Sequence, residues 1–357
     1  MKILGIETSC DDTCAALVEI KRGKFDVIKS IVASQANLHK KYGGVVPEIA
    51  ARKHVETILP VIEEAVGKKK PKIDAIAIAS GPGLITSLHV GVETAKALSL
   101  AWGVPLIKVN HIEGHIYSSL LNAKAQDFVR PNQRAQDFVP LRLTFPAIAL
   151  IVSGGHTELI LMKDHGKYSL LGRTRDDASG EAFDKSAKML GLPYPGGPQI
   201  SKRAFKGDPY KYSIPKPMIH EPGYEFSFSG MKNAIRLLIE DIGSTDAPMG
   251  RLYPKCLNDL CASIEQAIVD VLVFKSIKTV EKYKPKTFIL AGGVSANKKL
   301  RQTLEDAMPK KTKFLAPDLK YCMDNAAMVA VAGCFHAKKK KFIKHDKLKA
   351  SANWELV

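Results

Sequence analysis

The segment IDAIAIASGPG, residues 73–83, gives the first signal of the fold. Residues 73–79 predict a buried strand, residues 80–83 form a glycine-rich turn, and a helical period resumes from Ser87 to Trp102. Glycine lets a ligand approach the backbone, and the unsatisfied N–H groups of a helix N-terminus attract anions. Ordinary βα connections share this order of elements. The stretch is neither a P-loop nor a dinucleotide fingerprint, because it lacks both GK[ST] and GxGxxG.

Two more apolar strands end in glycine turns. Residues 148–152 lead into SGGHT at 153–157, and residues 288–290 lead into AGGVSAN at 291–297. Such recurrence favours two α/β halves whose strand ends converge on a shared nucleotide cleft, as in the duplicated fold of actin, sugar kinases and the Hsp70 ATPase. An amphipathic pattern from Glu48 through Val66 predicts a helix that ends at Gly67.

The chain begins with a predicted hairpin. An apolar strand from Ile3 to Ile6 and a second from Cys14 to Val18 flank the polar turn ETSCDDT, residues 7–13. The hydroxyl and N–H groups of such a turn can bind a phosphate, or they can satisfy the turn's own backbone. Both interpretations stay open on this segment.

Composition excludes several classes of protein. The 357 residues, 45% apolar and 25% charged, suit one large or two medium globular domains and exclude wholesale disorder. The six cysteines show no CxxC pairs, which indicates a reducing compartment rather than a disulfide framework or zinc ribbon. We find neither a leader pattern nor a membrane-spanning run, so we expect a soluble cytoplasmic protein without a membrane partner.

The chain is strongly basic. Its 53 Lys and Arg against 36 Asp and Glu give a net charge of +17. This imbalance favours an anionic partner, and nucleic acid is the simplest candidate. Lysine-rich solvated faces are an equally good explanation of the charge by itself.

The segment NHIEGH, residues 110–115, carries a candidate metal pair. On a helix, His111 and His115 lie at i and i+4 with Cβ atoms about 6 Å apart, close enough to hold one ion. A structural histidine pair is the alternative. Asp324 in YCMDNA offers a carboxylate, either as a third ligand or as a helix N-cap. A metallopeptidase HExxH is absent, because Ile112 follows the first histidine and Glu113 lies about 200° around the helix from it.

Taken together, these motifs resemble the TsaD family, the threonylcarbamoyl-transferring proteins of tRNA modification that were formerly classed as O-sialoglycoprotein endopeptidases. The resemblance spans nearly the whole chain, and its motifs occur in the family's order. The segments that carry it are GIETSCDDT, SGPGLITSLHVG, NHIEGH, LIVSGGHTEL, DDASGEAFDKSAKMLGLPYPGGP, FSFSGMKNA, LAGGVSAN and YCMDNAAM.

The resemblance implies an actin-like ATPase (ASKHA) fold with two duplicated lobes and a central cleft. It implies transfer of the threonylcarbamoyl group from threonylcarbamoyl-AMP to N6 of the adenosine 3′ of the anticodon, in tRNAs that read codons beginning with A. The implied metal ligands are His111, His115 and Asp324, with ferrous iron expected and zinc as the alternative. The implied substrate-binding residues are Val152, Ser153, Gly154, Gly155, His156, Asp184, Gly197 and Asn297.

The resemblance also implies a candidate residue for proton transfer, the bacterial form of the family, and a set of binding partners. His156 is a candidate for proton transfer, although a histidine that closes a glycine turn is often structural. Archaeal and eukaryotic relatives carry Asn at this position, so His156 points to the bacterial type. The implied partners are tRNA, an inactive TsaB-like paralogue of the same fold and a TsaE-like P-loop ATPase. A non-catalytic nucleotide-binding protein of this fold and, more remotely, a metallopeptidase are the alternative functions.

This fold implies domain boundaries. We expect a first lobe of residues 1–109 plus 327–357, a second lobe of 110–326, and the site between them. Residues 124–140, in which AQDFV occurs at 125–129 and again at 135–139, suggest an exposed insertion without a catalytic part. The lysine-rich tail from Lys338 to Lys349 either contacts the tRNA backbone or is the solvated end of the last helix.

Overall fold

The computed structural model describes residues 1–21, 24–69, 71–121, 143–246 and 254–357. The chain divides into two compact units: unit 1 is Met1–Leu143 with Leu315–Val357, and unit 2 is Thr144–Phe314. This division differs from the predicted boundaries, because residues 110–121 and 315–326 belong to unit 1. Helix α4 (His111–Ser118) packs against helix α10 (Ala326–Lys338), and α10 packs on strands of unit 1. The predicted insertion at 124–140 lies outside the described residues.

Unit 1 is built on a five-stranded sheet of order β3-β2-β1-β4-β5. Strand β1 pairs antiparallel with β2 and parallel with β4, and β4 pairs parallel with β5. The predicted opening hairpin and the predicted helix that ends at Gly67 are both confirmed. The elements are β1 (Lys2–Glu7), β2 (Thr13–Lys21), β3 (Lys24–Ala33), α1 (Ala36–Lys40), α2 (Pro47–Val66), β4 (Ala75–Ala79), α3 (Ile85–Trp102), β5 (Leu106–Val109), α4 and α10.

Unit 2 repeats this topology, since its sheet order β10-β9-β6-β7-β8 is the same pattern read from the other end. The turn at 153–156 joins β6 to β7, as residues 8–12 join β1 to β2. The duplicated fold is therefore confirmed. The elements are β6 (Ala147–Val152), β7 (Thr157–Asp164), β8 (Lys167–Arg173), α5 (Ser179–Met189), α6 (Gly196–Ala204), α7 (Ser229–Asp246), α8 (Pro254–Tyr283), β9 (Thr287–Ala291), α9 (Lys298–Ala307) and β10 (Lys313–Leu315).

The two faces of strand β1 explain the layers of unit 1. Because side chains alternate along a strand, Leu4 and Ile6 share a core with Ile58 of α2 and Val92 of α3. Gly5 lies on the opposite face beneath α10, where a Cβ would come within 2.1 Å of the Ala326 carbonyl oxygen. Helix α10 therefore lies unusually close to the sheet, and this position fixes the segment that precedes it.

None of the helices in the described ranges is long and apolar enough to cross a bilayer.

Candidate functional site

Helix α4 carries the two histidines of NHIEGH directly after strand β5. Asn110 caps the helix: its side-chain oxygen accepts hydrogen bonds from the N–H groups of Ile112 (2.8 Å) and Glu113 (3.3 Å). The side-chain amide of Asn110 donates to the carbonyl of Trp354 at 3.0 Å. The residue before the first histidine thus fixes the start of the helix and ties it to the C-terminal segment.

His111, His115 and Asp324 come together in unit 1, and their ligand atoms all lie within 4.8 Å of one another. The carboxylate Oδ1 of Asp324 lies 3.1 Å from Nε2 of His115 and 3.5 Å from Nε2 of His111. Ligands about 2.1 Å from one ion are separated by about 3.0 to 3.4 Å for angles between octahedral and tetrahedral. Both histidines are buried. Distances and donor types therefore fit a single divalent ion of the iron or zinc class.

Asp324 is not the N-cap of α10. That role belongs to Asn325, whose side-chain oxygen accepts a hydrogen bond from the N–H group of Met328 at 2.9 Å. The cap interpretation of Asp324 is therefore wrong. One residue earlier, its carboxylate is directed at the imidazoles of α4.

Sequence reasoning missed the groups behind His111. Its Nδ1–H donates to Oε2 of Glu7 at 3.0 Å, and the hydroxyl of Ser9 lies 3.0 Å from the same nitrogen. Burial lowers the pKa of His111, but the carboxylates of Glu7 and Asp324 outweigh it and raise the pKa to about 9. A carboxylate behind a ligating imidazole fixes its tautomer and leaves Nε2 to face the ion. The sequence signal for this contact is Glu7, an acidic residue at the end of strand β1.

Two thiols near this site are poor ligand candidates. Burial and the charge of Asp11 raise the pKa of Cys10 far above its ordinary value, and burial raises that of Cys14 likewise. Neither thiol belongs to the described group of side chains whose ligand atoms lie within 4.8 Å of one another, which is His111, His115 and Asp324. Burial also raises the pKa of Asp12, to about 6. The candidate ligand set is therefore two imidazoles and one carboxylate.

Glu113 does not occupy the place of a peptidase general base. Its carboxylate Oε2 accepts a hydrogen bond from Nε2 of His336 on α10 at 2.7 Å. This partly buried contact joins α4 to α10, the two helices next to the candidate metal ligands. The geometry therefore gives Glu113 a structural role.

The SGGH turn of unit 2 is a tight hairpin connection between β6 and β7. The N–H of Ser153 donates to the carbonyl of His156 at 2.8 Å, and the N–H of His156 donates to the Ser153 hydroxyl at 3.1 Å. Gly154 and Gly155 are exposed, and a Cβ at either would contact nothing within 4 Å. Packing does not require glycine at either position. The absence of side chains leaves the backbone of the turn accessible to an anion.

Asp184 lies beside the PGGP motif. Its Oδ1 accepts a hydrogen bond from the N–H of Gly196 at 2.7 Å, at the start of α6. Burial raises the pKa of Asp184, although the N–H groups of Gly196 and Gly197 oppose that effect. The structure therefore brings Asp184 and Gly197 together at one helix N-terminus.

Asn297 already uses most of its hydrogen-bonding capacity. Its oxygen caps α9 by accepting from the N–H of Leu300 at 2.8 Å, and its amide donates to the Ser201 hydroxyl (3.0 Å) and to Oε1 of Glu265 (2.6 Å). Ser201 lies on α6, so Asn297 joins the third glycine turn to the helix that begins at PGGP. This network is a structural role that sequence reasoning missed.

Contacts within unit 2 join all the predicted substrate-binding segments. The N–H of Gly180 on α5 donates to the carbonyl of Ser153 at 3.1 Å. At Gly292, where φ is +90°, a Cβ would lie 2.4 Å from the carbonyl oxygen of Val152. With the contacts of Asp184 and Asn297, these link the segments into one closed ring.

Asp176 is a further residue that sequence reasoning missed. Its carboxylate accepts hydrogen bonds from the hydroxyls of Ser227 (2.5 Å) and Ser229 (2.7 Å) and from the N–H of Phe228 (2.8 Å). Burial raises its pKa, but these hydrogen bonds outweigh burial and hold the pKa below its ordinary value. Asp176 therefore joins the DDASG and FSFSG motifs at the start of α7.

Comparison with known proteins gives a consistent picture. A family model described as TsaD, tRNA N6-adenosine threonylcarbamoyltransferase, matches residues 26–331. Proteins named tRNA N6-adenosine threonylcarbamoyltransferase include one from Bacillus licheniformis, 48% identical over 339 residues, with 93% of this chain and 90% of that protein covered. One from Thermomicrobium roseum is 46% identical over 355 residues, with 95% and 93% covered.

Two solved structures show the same fold. The activator of the 2-hydroxyisocaproyl-CoA dehydratase from Clostridium difficile with bound ADPNP has a TM-score of 0.50 at 12% identity, covering 96% of this chain and 97% of that one. Full-length HypF in its phosphate- and nucleotide-bound form has a TM-score of 0.53 at 12% identity, covering 95% of this chain and 46% of HypF. Both are actin-like ATPase-fold proteins, which confirms the predicted fold class.

Proposed function

Because this chain belongs to the TsaD family of tRNA N6-adenosine threonylcarbamoyltransferases, we propose that it takes the threonylcarbamoyl group from threonylcarbamoyl-AMP. The chain is a transferase that modifies N6 of an adenosine in tRNA. We place that adenosine 3′ of the anticodon, in tRNAs that read codons beginning with A. The convergence of His111, His115 and Asp324 carries the proposal, since a non-catalytic relative has no use for a complete ligand set.

In this proposal, unit 1 supplies a Lewis acid. His111, His115 and Asp324 would hold one divalent ion, ferrous iron in the first instance and zinc as the alternative. When bound, the ion would make the carbamoyl carbon a better electrophile for an amine that is a weak nucleophile. Glu7 and Ser9 would orient the His111 imidazole from behind.

Unit 2 would hold the adenylate. The bare backbone at Gly154 and Gly155 offers N–H donors for the phosphate, whose negative charge grows as AMP leaves. We assign Val152, Ser153, Asp184, Gly197 and Asn297 to the same site, and this is supported by the ring of contacts that joins their segments. His156, half-buried at the end of the turn, is our candidate for proton transfer.

We also propose the setting in which the enzyme works. By family resemblance, its partners are an inactive TsaB-like paralogue and a TsaE-like P-loop ATPase. The cytoplasm is the proposed compartment, because none of the six cysteines forms a disulfide and because tRNA is the substrate.

The test is reconstitution of the transfer. The full chain, with the two partner proteins, is incubated with threonylcarbamoyl-AMP and unmodified tRNA, and the nucleosides are analysed by mass spectrometry. We expect threonylcarbamoyladenosine from the wild type, none from His111→Ala, and normal yield from His89→Ala, which removes an exposed histidine of α3. Unchanged activity of His111→Ala would refute the metal site. Binding of the intermediate without transfer would favour the non-catalytic alternative.

A further inference from the structure

The segment that directly follows helix α6 carries two highly exposed aromatic side chains. Phe205 is 91% exposed and Tyr210 is 79% exposed, the two largest exposures among the large hydrophobic side chains described. Exposed aromatic rings cost free energy in water, and two of them on one short segment indicate a contact surface.

The same segment is basic. Residues 201–217 contain five Lys and Arg and one acidic residue, Asp208. In the described part of the chain, no ion pair involves Lys202, Lys206 or Lys211, whereas Lys216 pairs with Asp270 at 2.6 Å. The three unpaired ammonium groups flank the two rings in the sequence. We call Lys202, Phe205, Lys206, Tyr210 and Lys211 the aromatic–basic surface.

Helix α8 holds this surface in place. The N–H of Asp208 donates to Oδ1 of the buried Asp259 at 2.8 Å, and the N–H of Tyr212 donates to the hydroxyl of Ser263 at 3.2 Å. At Gly207 a Cβ would lie 2.1 Å from the carbonyl oxygen of Asn258, so the loop lies directly against α8. The rings therefore stand on a fixed loop, and ordering them on binding costs little entropy.

We propose that the aromatic–basic surface binds unpaired nucleotides of the substrate tRNA that lie a few positions from the target adenosine. Proteins that bind single-stranded RNA combine basic groups along the backbone with aromatic rings on which bases stack. This proposal rests on the proposed function, which places Gly197 in the substrate site. Phe205, the residue that caps the C-terminal end of α6, lies eight residues beyond Gly197, about 12 Å at a rise of 1.5 Å per residue. At about 3.4 Å per stacked nucleotide, this distance corresponds to roughly three or four nucleotides.

The rival surface is the lysine-rich tail, residues 338–349. It has more positive charge, but among the described residues 338–349 the one exposed large hydrophobic side chain is Phe342, at 48%. Charge without stacking rings binds phosphates of any nucleic acid. If tRNA binds the aromatic–basic surface, substitutions there should weaken tRNA binding. If it binds the tail, substitutions in the tail should do so, and one set of variants distinguishes the two surfaces.

The experiment measures binding of unmodified tRNA to the full-length chain by fluorescence anisotropy over a range of salt concentrations. We expect Phe205→Ala/Tyr210→Ala to weaken binding about tenfold or more with little change in the salt dependence. Lys206→Glu/Lys211→Glu should reduce the slope of log K against log salt by roughly 1.4 to 1.8. The control Tyr42→Ala, which removes an exposed ring of unit 1, should bind as wild type.

A second readout reports stacking directly. An anticodon stem-loop with 2-aminopurine about three or four nucleotides from the target adenosine should lose fluorescence on binding wild type, but not on binding Phe205→Ala/Tyr210→Ala. Equal binding by these variants and wild type, or a loss confined to Lys341→Glu/Lys344→Glu in the tail, would overturn the proposal, as would a surface that binds a protein partner instead. If wild type binds tRNA through this surface but transfers nothing, the proposed function fails and this inference stands.

Discussion

Glu7 accepts a hydrogen bond from Nδ1 of His111 at 3.0 Å, although 104 positions separate them in the chain. Strand order explains the contact. Strands β1, β4 and β5 are parallel neighbours, so residues that follow their carboxyl ends meet at one edge of the sheet. The N–H of Ser9 donates to the other oxygen of Glu7 at 2.5 Å and fixes the carboxylate.

The first prediction concerns this contact. Glu7→Gln should weaken divalent metal binding about 10- to 100-fold, because an amide does not stabilise the Nδ1–H tautomer as a carboxylate does. Competition with a chromogenic chelator, using zinc or cobalt, measures the affinity. Glu48→Gln, at an exposed position on α2, is the matched control and should bind metal as wild type does. Equal affinities of Glu7→Gln and wild type would show that Glu7 does not position the ligand.

The second prediction concerns the SGGH turn. Gly154→Ala adds a methyl group where the protein leaves open space, so the melting temperature should stay within about 2 °C of wild type. The KM for threonylcarbamoyl-AMP should rise tenfold or more, since the methyl occupies the backbone surface proposed for the phosphate. Gly44→Ala, another glycine with open space around it, should alter neither quantity. Unchanged kinetics of Gly154→Ala would exclude close approach of the intermediate at this residue.

The third prediction concerns Asp176 and pH. Asp176→Asn should destabilise the protein by roughly 1 to 2 kcal/mol at pH 7, because the carboxylate accepts several hydrogen bonds at the start of α7. The folded pKa lies below the ordinary value, so this stabilisation is present above about pH 3.9 and is lost as the pH falls through the folded pKa.

Urea unfolding between pH 7 and pH 3 measures this effect. The difference between wild type and Asp176→Asn should shrink at the acid end of the range. Asp346→Asn, at an exposed aspartate, should show little difference at any pH. A difference that is independent of pH would show that the negative charge of Asp176 is not the cause.

The fourth prediction concerns the close contact of β1 and α10. Gly5→Ala should destabilise the protein by about 3 kcal/mol or more, because the new methyl group would overlap the backbone of Ala326 and Ala330. Displacing α10 also moves Asp324, so metal affinity should fall in any fraction that folds. Thermal unfolding with and without zinc measures both effects. Wild-type stability of Gly5→Ala would contradict the close packing.

Local sequence patterns predicted much of the fold and the three side chains that come together as candidate metal ligands. The three glycine turns, the opening hairpin and the two α/β halves follow from apolar strands and turn residues, which are local signals. The spacing of His111 and His115 placed them on one helix face. For Asp324, the sequence could not distinguish a ligand from a helix cap, because the cap is the next residue. The hydrogen bond that Asn325 accepts from the N–H of Met328 distinguishes them.

Long-range packing supplied what the sequence could not. Strand order brings Glu7 into contact with His111. Asn297 contacts Ser201 and Glu265, which lie on two other helices. The boundary between the units was predicted from fold analogy at residue 110, whereas the packing of α4 on α10 places α4 in unit 1. Such tertiary contacts leave no periodic trace in the sequence.

Unit 1 is made of two stretches of chain that are separated by the whole of unit 2. During translation, Glu7 and both histidines leave the ribosome long before Asp324, which is synthesised after unit 2. A nascent chain at that stage has two of the three proposed ligands, so the group is not yet complete. Loading of the proposed metal site would therefore follow the synthesis of unit 2, and a chain on a ribosome stalled within unit 2 would lack one of the three proposed ligands.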